Sequence, residues 1–101
     1  MRPESSRWEP CFQEICAWLD ERHGTTRPPV MARDSRIAYL CDVPYVHEPR
    51  LLGPRRLARA VRGRGAALWI VKASRMPAVD PPGVRQVATL CEGRERVLVY
   101  E

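Results

Sequence analysis

The sequence predicts a small α/β fold: one domain in three layers, with about five strands in a mostly parallel sheet, helices on both faces and an antiparallel hairpin at the C-terminal end. Three observations lead there. Ala66 to Val71 reads Ala-Ala-Leu-Trp-Ile-Val, the longest unbroken apolar run in the chain, and a run of that length bounded by Gly65 and Lys72 fits a strand buried on both faces. Stretches with helical spacing alternate with short apolar runs ahead of it, the pattern of parallel strands joined by crossovers. Two further apolar runs at the end are joined by a connection of hairpin length that contains Gly93.

The elements follow in order. Residues 1–9 read as a flexible leader and residues 10–101 as the domain. Pro10 suits the first turn of a helix, where its missing N–H costs nothing. Trp8, Phe12, Ile15 and Leu19 then recur at helical spacing, with Cys16 and Trp18 widening an inward stripe that ends near His23, and Gly24 is the natural cap. After a connector from Thr25 to Pro29, Val30 to Ala32 reads as a strand. Asp34 or Ser35 can cap a brief helix through Cys41, which Asp42, Val43 and Pro44 break. Tyr45 and Val46 form a minimal second strand, stopped by His47, Glu48 and Pro49.

The next helix lies within Leu51 to Arg64, with Gly53 as cap, Pro54 in its first turn, and Leu57, Ala58 and Val61 facing inward. The strand Ala66 to Lys72 follows, and Ser74 to Pro82 is a Pro-rich loop leaving its carboxyl end. Arg85 to Cys91 and Arg96 to Glu101 complete the sheet as an antiparallel pair, although Pro82 to Leu90 could also be a short helix. At 101 residues the chain buries about 65% of its unfolded surface, enough for one core and too little for two domains.

The formal charge of +5 raises the question of a polyanionic partner, since clustered guanidinium groups bind phosphates with release of counterions. Lys72 is the one lysine among 17 basic residues, a bias that genome composition alone can produce. The basic residues concentrate on one helix: Arg55, Arg56, Arg59, Arg62 and Arg64 occupy most of its non-apolar positions with no acid among them. Charge there is ordinarily solvated surface, and these five are also the candidate anion site, for lipid headgroups or nucleic acid. Interleaved aromatics that would stack on bases are missing from the stretch. The rim at the carboxyl end of a parallel strand is where open α/β sheets bind ligands, and here it offers Ser74, Arg75 and Asp80 without a Gly-rich phosphate loop.

Cys11, Cys16, Cys41 and Cys91 match no zinc-site spacing. On a helix Cys11 and Cys16 point apart, which argues against a bridge between them. The four read as small core or near-surface residues in a reduced setting, with a single disulfide, metal binding or catalysis as alternatives. A thiol enzyme would pair Cys41 or Cys91 with His47 as base. The sequence implies no metal and no cofactor. Residues 1–10 contain no apolar segment behind a basic start, so no secretory signal is expected, and no run approaches the roughly 20 apolar residues of a membrane span.

Several words of the sequence, taken in order, resemble the soluble α/β region of one family. They are Ala17-Trp18-Leu19, Pro29-Val30-Met31-Ala32-Arg33, Ile37-Ala38-Tyr39, the helix from Leu57 to Gly65, Leu68-Trp69-Ile70-Val71, and Val97-Leu98-Val99-Tyr100. The family is that of polytopic membrane glycosyltransferases that take sugar from polyprenyl-phosphate donors, similar to dolichyl-phosphate-mannose protein mannosyltransferases and lipid A aminoarabinose transferases. In that family a soluble region follows the membrane helices, and the catalytic acids lie in loops between those helices. The resemblance therefore implies a non-catalytic accessory domain, monomeric by itself, facing the extracytoplasmic side and partnered by the membrane-embedded portion or by anionic headgroups. A free-standing chain of the same composition is expected in the cytoplasm, as a small basic module.

Overall fold

A computed structural model describes residues 3–93 and 96–101; Met1, Arg2, Arg94 and Glu95 lie outside the described residues, as do the side chains of residues 3–10, Trp8 of the expected inward stripe among them. The elements are α1 (Pro3–His23), β1 (Val30–Ala32), α2 (Arg36–Cys41), β2 (Tyr45–His47), α3 (Pro54–Gly63), β3 (Leu68–Lys72), a 3-10 turn at Ala73–Arg75, β4 (Gln86–Leu90) and β5 (Val97–Tyr100). Helix α1 starts at Pro3, inside the stretch expected to be a leader. Pro3 is as well suited to a first turn as Pro10, and Pro10 falls in the helix interior, where a proline supplies no backbone N–H. The segment that could have been strand or helix, up to Leu90, is strand β4.

The five strands form one sheet in the order β2-β1-β3-β5-β4. β1 pairs in parallel with β2 on one side and β3 on the other, Met31 lying opposite both Val46 and Trp69. β5 is antiparallel to β3, with Trp69 opposite Tyr100, and β4 is antiparallel to β5. The sheet is therefore mixed, which corrects the expectation of a mostly parallel one. After β3 no α-helix carries the chain across the sheet. The Pro-rich segment makes the crossing to β4 at the edge, and the hairpin then inserts β5 against β3 in the opposite direction.

Alternation along the strands divides the core in two. Val30, Ala32, Leu68, Ile70, Val97 and Val99 face α1 and α2, packing on Phe12, Ile15, Leu19 and Ile37. Met31, Trp69, Val71, Leu98 and Tyr100 face α3, against Leu57, Ala58 and Val61. β3 is consequently sealed on both sides, with Trp69 at 0% and Ile70 at 4% exposure, as its apolar run predicts. Gly24 closes α1 at φ 61°, a left-handed conformation that favours glycine, and its N–H donates to the Asp20 carbonyl at 2.8 Å. Gly65 makes the equivalent turn into β3 at φ 78°. Among the described residues no helix is long and apolar enough to cross a membrane.

All four cysteines are bridged, Cys11 to Cys91 and Cys16 to Cys41, which corrects the reading of them as reduced core residues. Helical divergence does keep Cys11 and Cys16 from each other. It also aims them at different neighbours: Cys11 at the end of β4, and Cys16 at the last residue of α2. The bridges clamp α1 to the far edge of the sheet and to α2, the two elements bordering its apolar face. Glu14 reinforces the first clamp by accepting the Cys91 backbone N–H at 2.9 Å.

The chain-entropy relation gives about 4.5 kcal/mol for the bridge that spans 80 residues and about 3.5 kcal/mol for the one that spans 25. Replacing Cys11 and Cys91 together by Ala should therefore lower the urea midpoint more than replacing Cys16 and Cys41. Chemical denaturation of the two variants checks this, and an equal or reversed order would mean that the longer bridge constrains a denatured chain already compact.

Candidate functional site

Strand order reverses around β1. The chain leaves β1 through α2 to reach β2 on one side, then returns through α3 on the opposite face to reach β3 on the other side. Adjacent loops at the carboxyl ends of β1 and β3 thus depart in opposite directions and leave a crevice between them, the position at which doubly wound sheets take ligands. The crevice here has a volume of about 460 Å³; Arg33, Asp34, Ser35 and Arg36 line one side and Lys72 and Arg75 the other, with Phe12, Ile15, Ile70 and Val97 beneath.

The polar groups around it are fixed by a buried carboxylate. Glu48, immediately after β2, is 0% exposed. Its backbone N–H donates to the Ala32 carbonyl at 3.2 Å. Its Oε1 accepts from the Trp69 indole N–H at 3.0 Å, and its Oε2 from Arg75 Nη2 at 2.5 Å, while Arg33 Nε lies 3.6 Å from Oε2. A carboxylate at this depth is tolerated only when paired and hydrogen-bonded, and these contacts supply both. Arg75 is held at the rim in return, with a quarter of its side chain exposed.

On the opposite side Asp34 turns back on its own loop. Its Oδ1 accepts the Arg36 backbone N–H at 3.0 Å, and both carboxylate oxygens accept from the Arg36 guanidinium. The hydrogen bond from the Arg36 side chain holds the Asp34 carboxyl below its usual range. Ser35, the residue at the N-cap of α2, makes no side-chain cap bond. The Arg36 guanidinium carbon lies 5.4 Å from the centroid of the Phe12 ring, within cation–π range. Tyr45 closes the back of the strand end, its hydroxyl donating to the Ala32 carbonyl at 2.8 Å. Arg33, Arg36, Lys72 and Arg75 therefore line the crevice with Asp34, and Glu48 is buried outside its lining.

The expected rim residues separate. Arg75 lines the crevice, Ser74 is exposed beside it, and Asp80 faces another hollow, where it accepts the Tyr100 hydroxyl proton at 3.2 Å. Burial, followed by the charge and hydrogen bond of Asp80, pushes the Tyr100 hydroxyl up to about 12. Arg55, Arg56, Arg59, Arg62 and Arg64 are all exposed along α3 and its C-terminus, remote in the fold from the crevice because α3 covers the other face of the sheet. Arg62 donates to the Gly83 carbonyl at 3.1 Å; the other four form no ion pair with a described residue. The thiol-enzyme alternative fails, because Cys41 and Cys91 are both in disulfides, and His47 meets the Tyr45 hydroxyl instead.

Sequence reasoning missed Arg33, Arg36, Lys72 and Glu48. The carboxyl-end rule applied to β1 as well as β3 would have found the first two. Nothing local distinguishes Glu48, which sits in a polar stop before Pro49. Among the described residues no cluster of His, Cys, Asp or Glu could hold a metal ion. No protein-family model matches this chain, and no curated protein and no solved structure matches it either.

Glu48→Ala should destabilise the fold by about 3 kcal/mol, because it strips a buried pair of one partner and leaves the Trp69 N–H without an acceptor. Glu48→Gln keeps that acceptor and should cost less. Urea unfolding followed by tryptophan fluorescence gives both values, and a Glu48→Ala variant within 0.5 kcal/mol of the parent, roughly the range of surface substitutions, would show that the carboxylate holds nothing together.

Proposed function

We propose that this chain is a non-catalytic, extracytoplasmic accessory domain of the kind attached to polyprenyl-phosphate-sugar-dependent membrane glycosyltransferases. The observation that carries the reading is the pair of disulfides. Bridges of this sort form and persist in oxidising compartments and are rare where thioredoxin and glutathione keep thiols reduced, so two of them in one small domain favour the outer side of a membrane over the cytoplasm. The element order is compatible with it: the words that resemble the family fall on α1, β1, α2, α3, β3 and β5 in sequence.

In this reading the sheet serves as a rigid platform beside the membrane-embedded portion, and reactivity belongs to that portion. The exposed arginine row of α3 is then the side turned toward anionic headgroups. Basic residues near such a surface each contribute roughly 1 kcal/mol to attraction, and Leu51, fully exposed at the entry to α3, adds an apolar contact at the same edge.

An antibody raised against the folded chain and applied to fractionated cells that express it natively tests the reading. The expected result is signal in the membrane fraction, digestible by protease added from the extracytoplasmic side, with cysteines that resist maleimide until reduced. Signal in the soluble cytoplasmic fraction, with thiols that alkylate without reductant, would overturn the assignment.

A further inference from the structure

We propose that the crevice between the carboxyl ends of β1 and β3 is a binding site for a small phosphate monoester with an apolar substituent, the phosphate held by Arg33, Arg36, Lys72 and Arg75 and the substituent resting toward Phe12 and Ile70. The inference stands on the crevice itself and does not require the accessory-domain reading.

Three features argue for this ligand chemistry. The charge is the first: four cations line the opening. The nearby carboxylates are committed, Asp34 to Arg36 and the buried Glu48 to Trp69, Arg75 and Arg33. A phosphate monoester carries close to two negative charges at neutral pH and three oxygens that guanidinium N–H groups can reach in pairs, so it engages several of these side chains at once where a carboxylate engages fewer. Preorganisation is the second. Arg75 spends one edge of its guanidinium on the immobile Glu48, and Arg36 spends its Nε and Nη2 on Asp34, so both forks are already oriented before a ligand arrives and less side-chain entropy is lost on binding. Each retains N–H groups beyond those bonds, because a guanidinium has five.

Shape is the third. A volume of about 460 Å³ lies within the range of small-molecule sites, roughly 300–1,000 Å³, which pair apolar lining with a few placed polar groups. Such a volume suits a ring or a short chain, whereas a long lipid tail would have to run outside it. Of the arginines on α3, Arg62 lines a second hollow of about 460 Å³ together with Gly83, Val84, Arg85 and Glu101. Its guanidinium is already bonded to the Gly83 carbonyl and Glu101 adds a carboxylate there, so that hollow offers a phosphate fewer cations than the crevice does.

Phenyl phosphate and inorganic phosphate are suitable probes, titrated into the isotopically labelled chain while backbone amide shifts are followed. The expected result is saturable movement of the amides of residues 33–37 and 72–75, with phenyl phosphate at least about tenfold tighter than inorganic phosphate, as burial of a ring predicts. Arg36→Gln combined with Lys72→Gln should weaken phenyl phosphate about tenfold or more, whereas Arg55→Gln combined with Arg59→Gln, the same loss of charge on α3, should leave it unchanged. The thermal unfolding midpoint of each variant confirms that the fold persists. Vesicles containing phosphatidic acid separate the sources: capture that is lost in the Arg36/Lys72 variant and kept in the Arg55/Arg59 variant assigns a lipid-borne phosphate, whereas no capture, or capture that the Arg36/Lys72 variant retains, assigns a soluble ester to the crevice. Absence of saturable shifts at the crevice, or equal weakening by both pairs of substitutions, would overturn the proposal.

Discussion

The structure depends on one strand that can be wetted on neither face. Leu68 and Ile70 need an apolar layer on one side of β3, and Trp69 and Val71 need another on the opposite side. A central strand of this type cannot belong to a two-layer sheet with one solvated face. The pairing of α1 and α2 against one side and α3 against the other follows from it, as does the placing of β1 and β5 on its two edges. Lost backbone entropy on folding amounts to about 1–2 kcal/mol per residue, and two-sided burial of Trp69, Ile70 and their neighbours offsets part of that cost.

The same arrangement generates the polar end of the molecule. Because Trp69 is buried at the α3 side, its indole N–H requires an acceptor in the interior. Glu48 provides it by entering the core behind β2, and an interior carboxylate in turn requires a cation, which Arg75 brings from the turn after β3. The charged rim of the crevice is thus linked to the packing of the central strand by consecutive hydrogen bonds. Substitutions at Glu48 would therefore act on stability and on the crevice together.

Much of the fold was legible in the chain, because the central elements carry local signals: six consecutive apolar residues for β3, Gly53-Pro54 ahead of the amphipathic α3, and, less decisively, Gly93 between the last two apolar runs. The antiparallel pairing of the last two strands with each other was legible too, whereas the antiparallel seating of β5 against β3 was not. Alternation reports which face a side chain occupies and says nothing about whether a neighbour runs parallel or antiparallel. The disulfides were hidden for a related reason, since Cys91 is 80 residues from Cys11 and only the tertiary path of β4 brings them together. Arg75 could be placed at a strand end from sequence position. Glu48 could not, because its burial is dictated by the needs of Trp69, a residue on a different strand.

The claim that everything hangs on β3 is tested most directly by native-state amide hydrogen exchange measured residue by residue. If two-sided burial of this strand is the controlling constraint, the hydrogen-bonded amides of Leu68–Lys72 will exchange only through global unfolding, at the free energy found by chemical denaturation, while amides of α2 and of the edge strand β2 will exchange through smaller openings. Exchange of β3 through local openings, faster than that of α1 or the β4–β5 hairpin, would contradict the account.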